Sequence, residues 1–296
     1  MVVEAVGGIL AGSLALVADA VHMLTDAFAL GLAATAHWWS RRPADDRLHF
    51  GYTRTQVLAA FVNGLFLAAL LCWIVYEAIQ RLLNPIEVEW RPMLIIAIIG
   101  LGANAVAFYV LHGASSRDIN IRGAMLHVVS DMLGSVAAVI AALVIMATDW
   151  TRIDPILSLV VAALIGRSAM RLLRETSHIL LEGAPQHIDV ASLIDGVKGA
   201  APNVVDVHDV YIWQLTPEHT RLTLHARIAD AAAATATLDR IKSFLEQSYG
   251  ITETTVQIEV GLDCPDEAEA LEPLKQKLGG GHSHAHHAHP AFAGHK

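Results

Sequence analysis

Long, nearly unbroken apolar runs dominate the first 180 residues, and polar residues gather in the short gaps between them. Runs of this length predict helices of about twenty residues or more, enough to cross a bilayer. They fall at Leu14–Ser40, Thr55–Tyr76, Met93–Leu111, Gly123–Thr148 and Ile153–Leu173, and Thr55 to Tyr76 contains no charge at all. The opening MVVEAVGGILAG is apolar apart from Glu4 but too short to span. It reads as the remainder of a shortened first helix, with Gly12-Ser13 as the turn into the next. It has no basic segment or small-residue cleavage site, so no signal peptide is expected. Asn84-Pro85 ends the third span, and the stretch to Pro92 is a short outer loop. The other gaps are basic: Arg41, Arg42, Arg47 and Arg54 in one, Arg117 and Arg122 in the next, then Arg167, Arg171 and Arg174. Positive charge gathers on the cytoplasmic side, so six spans with both termini cytoplasmic are expected, in a cell inner (plasma) membrane.

After Glu182-Gly183 the pattern changes. Ile188–Ala200 reads as a short amphipathic helix started by Asp189. Val204–Gln214 and Arg221–Ile228 alternate as strands. Ala231–Tyr249 carries a helical stripe through Ala234, Leu238, Ile241 and Leu245, and Thr254–Val260 is a third strand. The expected fold is therefore an α-helical membrane bundle followed by a small cytoplasmic α+β domain of α-β-β-α-β order. Three regions follow: a transmembrane domain over 1–182, a cytoplasmic domain over 183–262 and a His-rich flexible tail over 263–296.

Composition sharpens this picture. The 296 residues are 54% hydrophobic and only 17% charged, and the mean hydropathy is +0.46. Soluble domains are nearer a quarter charged. A net charge of −9 with no basic cluster excludes nucleic acid as a partner. Cys72 and Cys264 lie far apart and form no disulfide framework. Six of the sixteen histidines follow residue 281 in HSHAHHAHPAFAGHK, a tract able to collect metal loosely.

The chemistry lies inside the spans. His22 and Asp26 are four residues apart in ADAVHMLTDAFA, and His127 and Asp131 repeat the spacing in AMLHVVSDMLG. Each pair shares one helix face. Ionisable groups at membrane depth are costly and mark a bundle interior or an aqueous path. Two imidazoles and two carboxylates suit tetrahedral Zn²⁺, and the absence of a thiolate argues against Cu⁺. Asp19, one turn before His22, suits a supporting or pore-lining role. Asn63 and Asn104 read as interhelix hydrogen-bonding residues, and His37 and His112 as interfacial ones. His208 and His225 lie on neighbouring strands, where cross-strand pairing can bring them together. Two further classes compete with transport. An intramembrane metalloenzyme is opposed by the lack of an open ligand position and of a His-Glu-x-x-His pair. A metal sensor would bind without moving metal.

The paired His-x-x-x-Asp motifs, GSLALVADAVHMLTD, HFGYTR and the α-β-β-α-β tail resemble the cation diffusion facilitator family, in its bacterial zinc-transporter branch. The resemblance implies a homodimeric antiporter exporting divalent metal, Zn²⁺ foremost, from the cytoplasm in exchange for protons. Broader Zn/Cd/Co efflux is the alternative. It implies a transport site at His22, Asp26, His127 and Asp131, with His22 at the position that marks the zinc-selective type. It also implies a cytoplasmic metal site at His208, His225 and Glu259. The loop site of some relatives would rest here on Asp45 and His49 alone, because Leu48 and Tyr52 stand where its histidines would be. Metal binds neutral imidazole, so metal and protons compete for one site, and alternate opening turns that competition into exchange.

Overall fold

The computed structural model describes residues 1–113 and 119–261; the side chains of residues 119–124, 126 and 127 lie outside the description. The chain divides into two compact units, one comprising Met1–Pro185 with Ile212–Thr220, the other Gln186–Tyr211 and the chain from Arg221.

The first unit begins with a short helix α1 (Val2–Ala11), followed by α2 (Leu14–Ser40), α3 (Arg54–Leu83), α4 (Trp90–Gly113), α5 (Ile119–Thr148) and α6 (Ile153–Leu180). Five helices are long and apolar enough to cross a membrane; α1 is apolar but shorter. The turn between α1 and α2 falls where the sequence places it. Gly12 adopts φ +70, which glycine tolerates without penalty, and Ser13 caps α2 through its hydroxyl on the Leu16 N–H. A Cβ at Gly12 would also lie 2.8 Å from the Glu87 carbonyl oxygen.

Two clusters hold the bundle together. One joins α1, α2, α4 and α5 around Leu16, Met93, Ala138, Ala141, Ala142 and Ile145; the other joins α2, α3 and α6 around Ala18, Leu71, Ile74, Ala162 and Ala169. Alanine dominates because helices in lipid gain little from hydrophobic burial and associate by close backbone approach. The larger residues point outward: Ile95, Ile98, Ile99 and Val106 of α4 are each more than half exposed, as a lipid-facing surface requires.

Two helices outrun their hydropathy. α3 continues past Tyr76 to Leu83 because Glu77 and Arg81 pair one turn apart at 2.9 Å and Arg81 donates to the Gly12 carbonyl at 2.6 Å. α6 continues to Leu180, well beyond the predicted Leu173. The start of α6 anchors the start of α2. Asp154, fully buried, accepts from the Ser13 hydroxyl at 2.7 Å, the Leu14 N–H at 2.6 Å and the Ala15 N–H at 3.2 Å. A carboxylate is thereby set on the donor-rich N-terminus of a neighbouring helix.

After α6 the chain forms α7 (Val190–Ala200), capped by Asp189, then β1 (Val204–Thr216), β2 (His219–Ile228), a 3-10 turn at Ala231–Ala233, α8 (Ala234–Tyr249) and β3 (Glu253–Val260). The strands form one sheet in the order β1-β2-β3, with β2 and β3 parallel. The expected α-β-β-α-β order holds. Along β2, Leu222, Leu224, Ala226 and Ile228 are buried to 2% exposure or less, so Thr223, His225 and Arg227 occupy the opposite face. Helices α7 and α8 meet where Gly196 lets the Phe244 ring come within what would be 2.4 Å of a Cβ.

Candidate metal centres

In the membrane unit, α2 places His22 and Asp26 one turn apart, and α5 brings Asp131 to them. His22 Nε2 lies 3.7 Å from Asp26 Oδ2 and 3.9 Å from Asp131 Oδ1. One ligand atom from each of the three falls within 4.8 Å of the others. Ligands on a tetrahedral Zn²⁺ with bonds of 2.0–2.1 Å are about 3.3 Å apart, so a small inward adjustment would close this triad on one ion. The Asp131 side chain is 11% exposed, whereas that of Asp26 is 25% exposed. His127 occupies α5 one turn before Asp131, and its side chain lies outside the described residues.

Asp19 stands beside this triad, buried to 5% exposure. It accepts a hydrogen bond from the Ser135 hydroxyl at 3.2 Å, and Asn104 reaches the same hydroxyl at 3.5 Å. Gly134 makes the approach possible, since a Cβ there would lie 2.5 Å from Asp19 Oδ1. Asn104 thus reaches a neighbouring helix as expected. Asn63 does not: its Oδ1 is buried with no hydrogen-bond partner among the described residues. A cavity of about 20 Å³ touches Asp19, His22, Ser130 and Ser158 between otherwise apolar walls. It has room for about one water.

The second unit holds another cluster. His208 Nε2 lies 3.2 Å from Glu259 Oε2, and His225 Nδ1 lies 3.1 Å from Glu259 Oε1. The two imidazoles meet edge to face, with centroids 5.4 Å apart. The three ligand atoms also fall within 4.8 Å of one another. The sheet register explains the convergence: Glu259 is paired with Arg227 of β2, two residues beyond His225 and on the same face. Sequence reasoning missed two carboxylates beside this cluster. Asp206 Oδ2 is 3.3 Å from His208 Nδ1, and Asp209 Oδ2 is 3.8 Å from His225 Nδ1. Asp206 sits at i−2 from His208, a same-face position legible in VDVHD. Asp209 was not legible, because it adopts φ +47 within the strand and breaks the alternation there. Burial raises the Asp206 carboxyl, but the hydrogen bond and charge of Lys198 outweigh it and hold Asp206 below the usual carboxylate range.

The loop between α2 and α3 uses its acid internally. Asp45 accepts from the Arg47 and Leu48 N–H groups at 2.9 and 2.7 Å and from the Tyr52 hydroxyl at 2.8 Å. Those bonds, led by Leu48, keep its carboxyl below the ordinary range. Among the described residues His49 joins no group of three metal-ligating side chains. His37 approaches Gln56 at 3.4 Å, and His178 makes a 2.7 Å contact with the Ala184 carbonyl. The tail over 263–296, with Cys264, lies outside the described residues.

Comparison with known proteins bears on both units. Residues 1–181 match the family profile described as the cation efflux transmembrane domain, and residues 185–260 match the cation efflux protein cytoplasmic domain. The zinc transporter ZitB of Yersinia pestis is 51% identical over 260 residues, 88% of this chain and 83% of that protein. The cadmium, cobalt and zinc/H(+)-K(+) antiporter of Bacillus subtilis (strain 168) is 39% identical over 289 residues, 96% of this chain and 92% of that one. A solved metal-bound C-terminal domain of the CzcD transporter is 30% identical across 24% of this chain and 99% of its own, with a TM-score of 0.22.

Proposed function

The chain belongs to the cation efflux family, and from that premise we propose that it exports divalent metal, Zn²⁺ foremost, from the cytoplasm in exchange for protons. It is a multi-pass membrane transporter rather than an enzyme. The observation that carries the reading is the triad of His22, Asp26 and Asp131, gathered from two helices within membrane-spanning segments. We assign the transport site to these three with His127, one turn from Asp131 on α5. Two carboxylates neutralise the dication, and the imidazoles favour Zn²⁺ over Mg²⁺ and Ca²⁺. Facing the cytoplasm, the histidines release protons to take metal; facing outward, they take up protons and release it. The protein resides in the inner membrane as a homodimer with both termini cytoplasmic, the basic loops supporting that orientation. The cytoplasmic domain, from residue 183, binds metal at His208, His225 and Glu259, and the tail from residue 263 collects it.

Zinc flux in proteoliposomes tests this directly. An imposed pH gradient drives metal movement, and Asp131→Ala abolishes it while the protein still inserts and folds. His22→Asp keeps transport but admits Cd²⁺ more readily, because a nitrogen donor gives way to oxygen. Flux indifferent to the gradient would end the antiport reading, and unchanged Zn²⁺/Cd²⁺ ratios in His22→Asp would place selectivity elsewhere. Co²⁺ belongs in the same assay, since the Bacillus subtilis relative carries cadmium and cobalt in its name.

A further inference from the structure

A cavity of about 420 Å³ opens where the loop between α2 and α3 meets the end of α6, lined in part by Arg47, His49, Arg54, Leu58, Leu180 and Glu182. All of these lie in the first unit. The size suits a small organic group better than a few waters. Part of the wall is apolar. Leu58 and Leu180 belong to membrane-spanning helices, and Leu48, Phe50 and Leu58 are each close to half exposed. The rest is charged. Arg54 donates from Nη2 to Glu182 Oε1 at 2.9 Å, which leaves the two protons of Nη1 for a second acceptor. Arg47 is exposed, and no carboxylate among the described residues pairs with it. Asp45 is turned into its own loop, onto the Arg47 and Leu48 N–H groups and the Tyr52 hydroxyl. Neither it nor Asp46 lines the cavity. Apart from His49, the charged lining is two guanidiniums against one carboxylate, a net charge of +1.

We propose that this cavity binds the headgroup phosphate of an anionic phospholipid from the cytoplasmic leaflet, with Arg47 and Arg54 on the phosphate and the apolar wall against the acyl chains. The inference goes beyond transport and shares with the reading above only the cytoplasmic placement of the basic loop. Charge is the first support. A phosphodiester carries one negative charge, equal and opposite to the lining, and guanidinium groups bind phosphate oxygens by paired, charge-assisted hydrogen bonds. Depth is the second. Trp38 and Trp39 are exposed at the end of α2, where aromatic side chains mark the headgroup level, and Arg42 lies over their rings at 5.0 and 5.2 Å. Leu48 and Phe50 are large apolar side chains exposed in an arginine-bearing loop, a combination suited to the boundary between headgroups and acyl chains. Position is the third. The cavity lies between the start of α3 and the end of α6, and basic pockets between membrane helices on the cytoplasmic side are of the kind that take anionic headgroups. Free phosphate satisfies the arginines but leaves the apolar wall wet, which favours the lipid. A zwitterionic headgroup fits less well, because its ammonium meets the unpaired charge of Arg47.

The test is thermal unfolding of the full chain, purified in a non-ionic detergent, stripped of lipid and titrated with phosphatidylglycerol, phosphatidylcholine or inorganic phosphate. Saturating phosphatidylglycerol is expected to raise the unfolding temperature by roughly 5 °C, phosphatidylcholine by less than half as much, and inorganic phosphate not at all. Arg47→Gln is expected to weaken the apparent affinity for phosphatidylglycerol roughly tenfold, the loss of one hydrogen bond to a charged group. Arg47 is exposed, so the variant folds as the parent does. Arg42→Gln removes an equal charge from the same loop outside the cavity and is expected to keep the parent affinity. Unchanged affinity in Arg47→Gln would overturn the site. Equal responses to the two lipids would do so as well, and so would a phosphate response matching that of phosphatidylglycerol. Equal losses in Arg42→Gln and Arg47→Gln would reduce it to the general charge of the loop. The measurement needs neither metal nor flux, so its failure is separate from any failure of the transport reading.

Discussion

Glu259 lies between two imidazoles, one from each of the other two strands, with each carboxylate oxygen near a different ring. Such a carboxylate is satisfied either by protons on the rings or by an ion that takes their place, so metal and acid act against each other at this cluster. Replacing Glu259 by Gln keeps the shape and removes the charge. Isothermal titration of the full chain with Zn²⁺ is expected to show affinity lowered by at least roughly tenfold at one class of site, ~1.4 kcal/mol, while the membrane site is untouched. Identical stoichiometry and affinity in the variant would dismiss the cluster as ordinary strand histidines. Asp206 and Asp209 belong to the same neighbourhood, 3.3 and 3.8 Å from the nearest nitrogens of the two rings.

At the scale of elements, the join between α6 and α2 is the most consequential single contact outside the triad. Asp154→Ala would strip the hydrogen-bond partner from two buried N–H groups and the Ser13 hydroxyl, with an expected loss of about 3 kcal/mol. Unfolding of the detergent-solubilised protein measures it, and a loss below ~1 kcal/mol would show that α2 is capped adequately without Asp154. The sequence pointed to this residue only weakly. An Asp before Pro at the start of an apolar run looks like the cap of its own helix, and nothing local says that it caps another. The bounds of α2 were legible to the residue because Gly12-Ser13 at one end and the arginines at the other are local signals. The bounds of α3 were not, because Glu77 and Arg81 continue the helix by pairing with each other, which a hydropathy profile counts as an end. The His-x-x-x-Asp pairs were visible as same-face spacing. That Asp131 of α5 meets His22 of α2 is a tertiary fact, which no spacing contains. In the second unit the helix start moved from Ala231 to Ala234, because Asp230 caps a 3-10 turn first.

Across the whole membrane unit, the triad has unequal surroundings. On one side lies a cavity of about 450 Å³, and against the triad itself lies one of only about 20 Å³, where Asp19, His22, Ser130 and Ser158 meet walls of Leu70, Leu71, Ile74 and Ile165. Water conducts and packed side chains do not, so the transmembrane voltage is expected to fall mainly across this packed plug. Every charge carried through that plug is subject to about 2.3 kcal/mol per 100 mV. A dication leaving against one returning proton then moves one net charge through the field, and against two returning protons it moves none. Zinc flux in liposomes clamped at different potentials therefore counts the protons: a flat response means two per ion, and a steep one means a single proton.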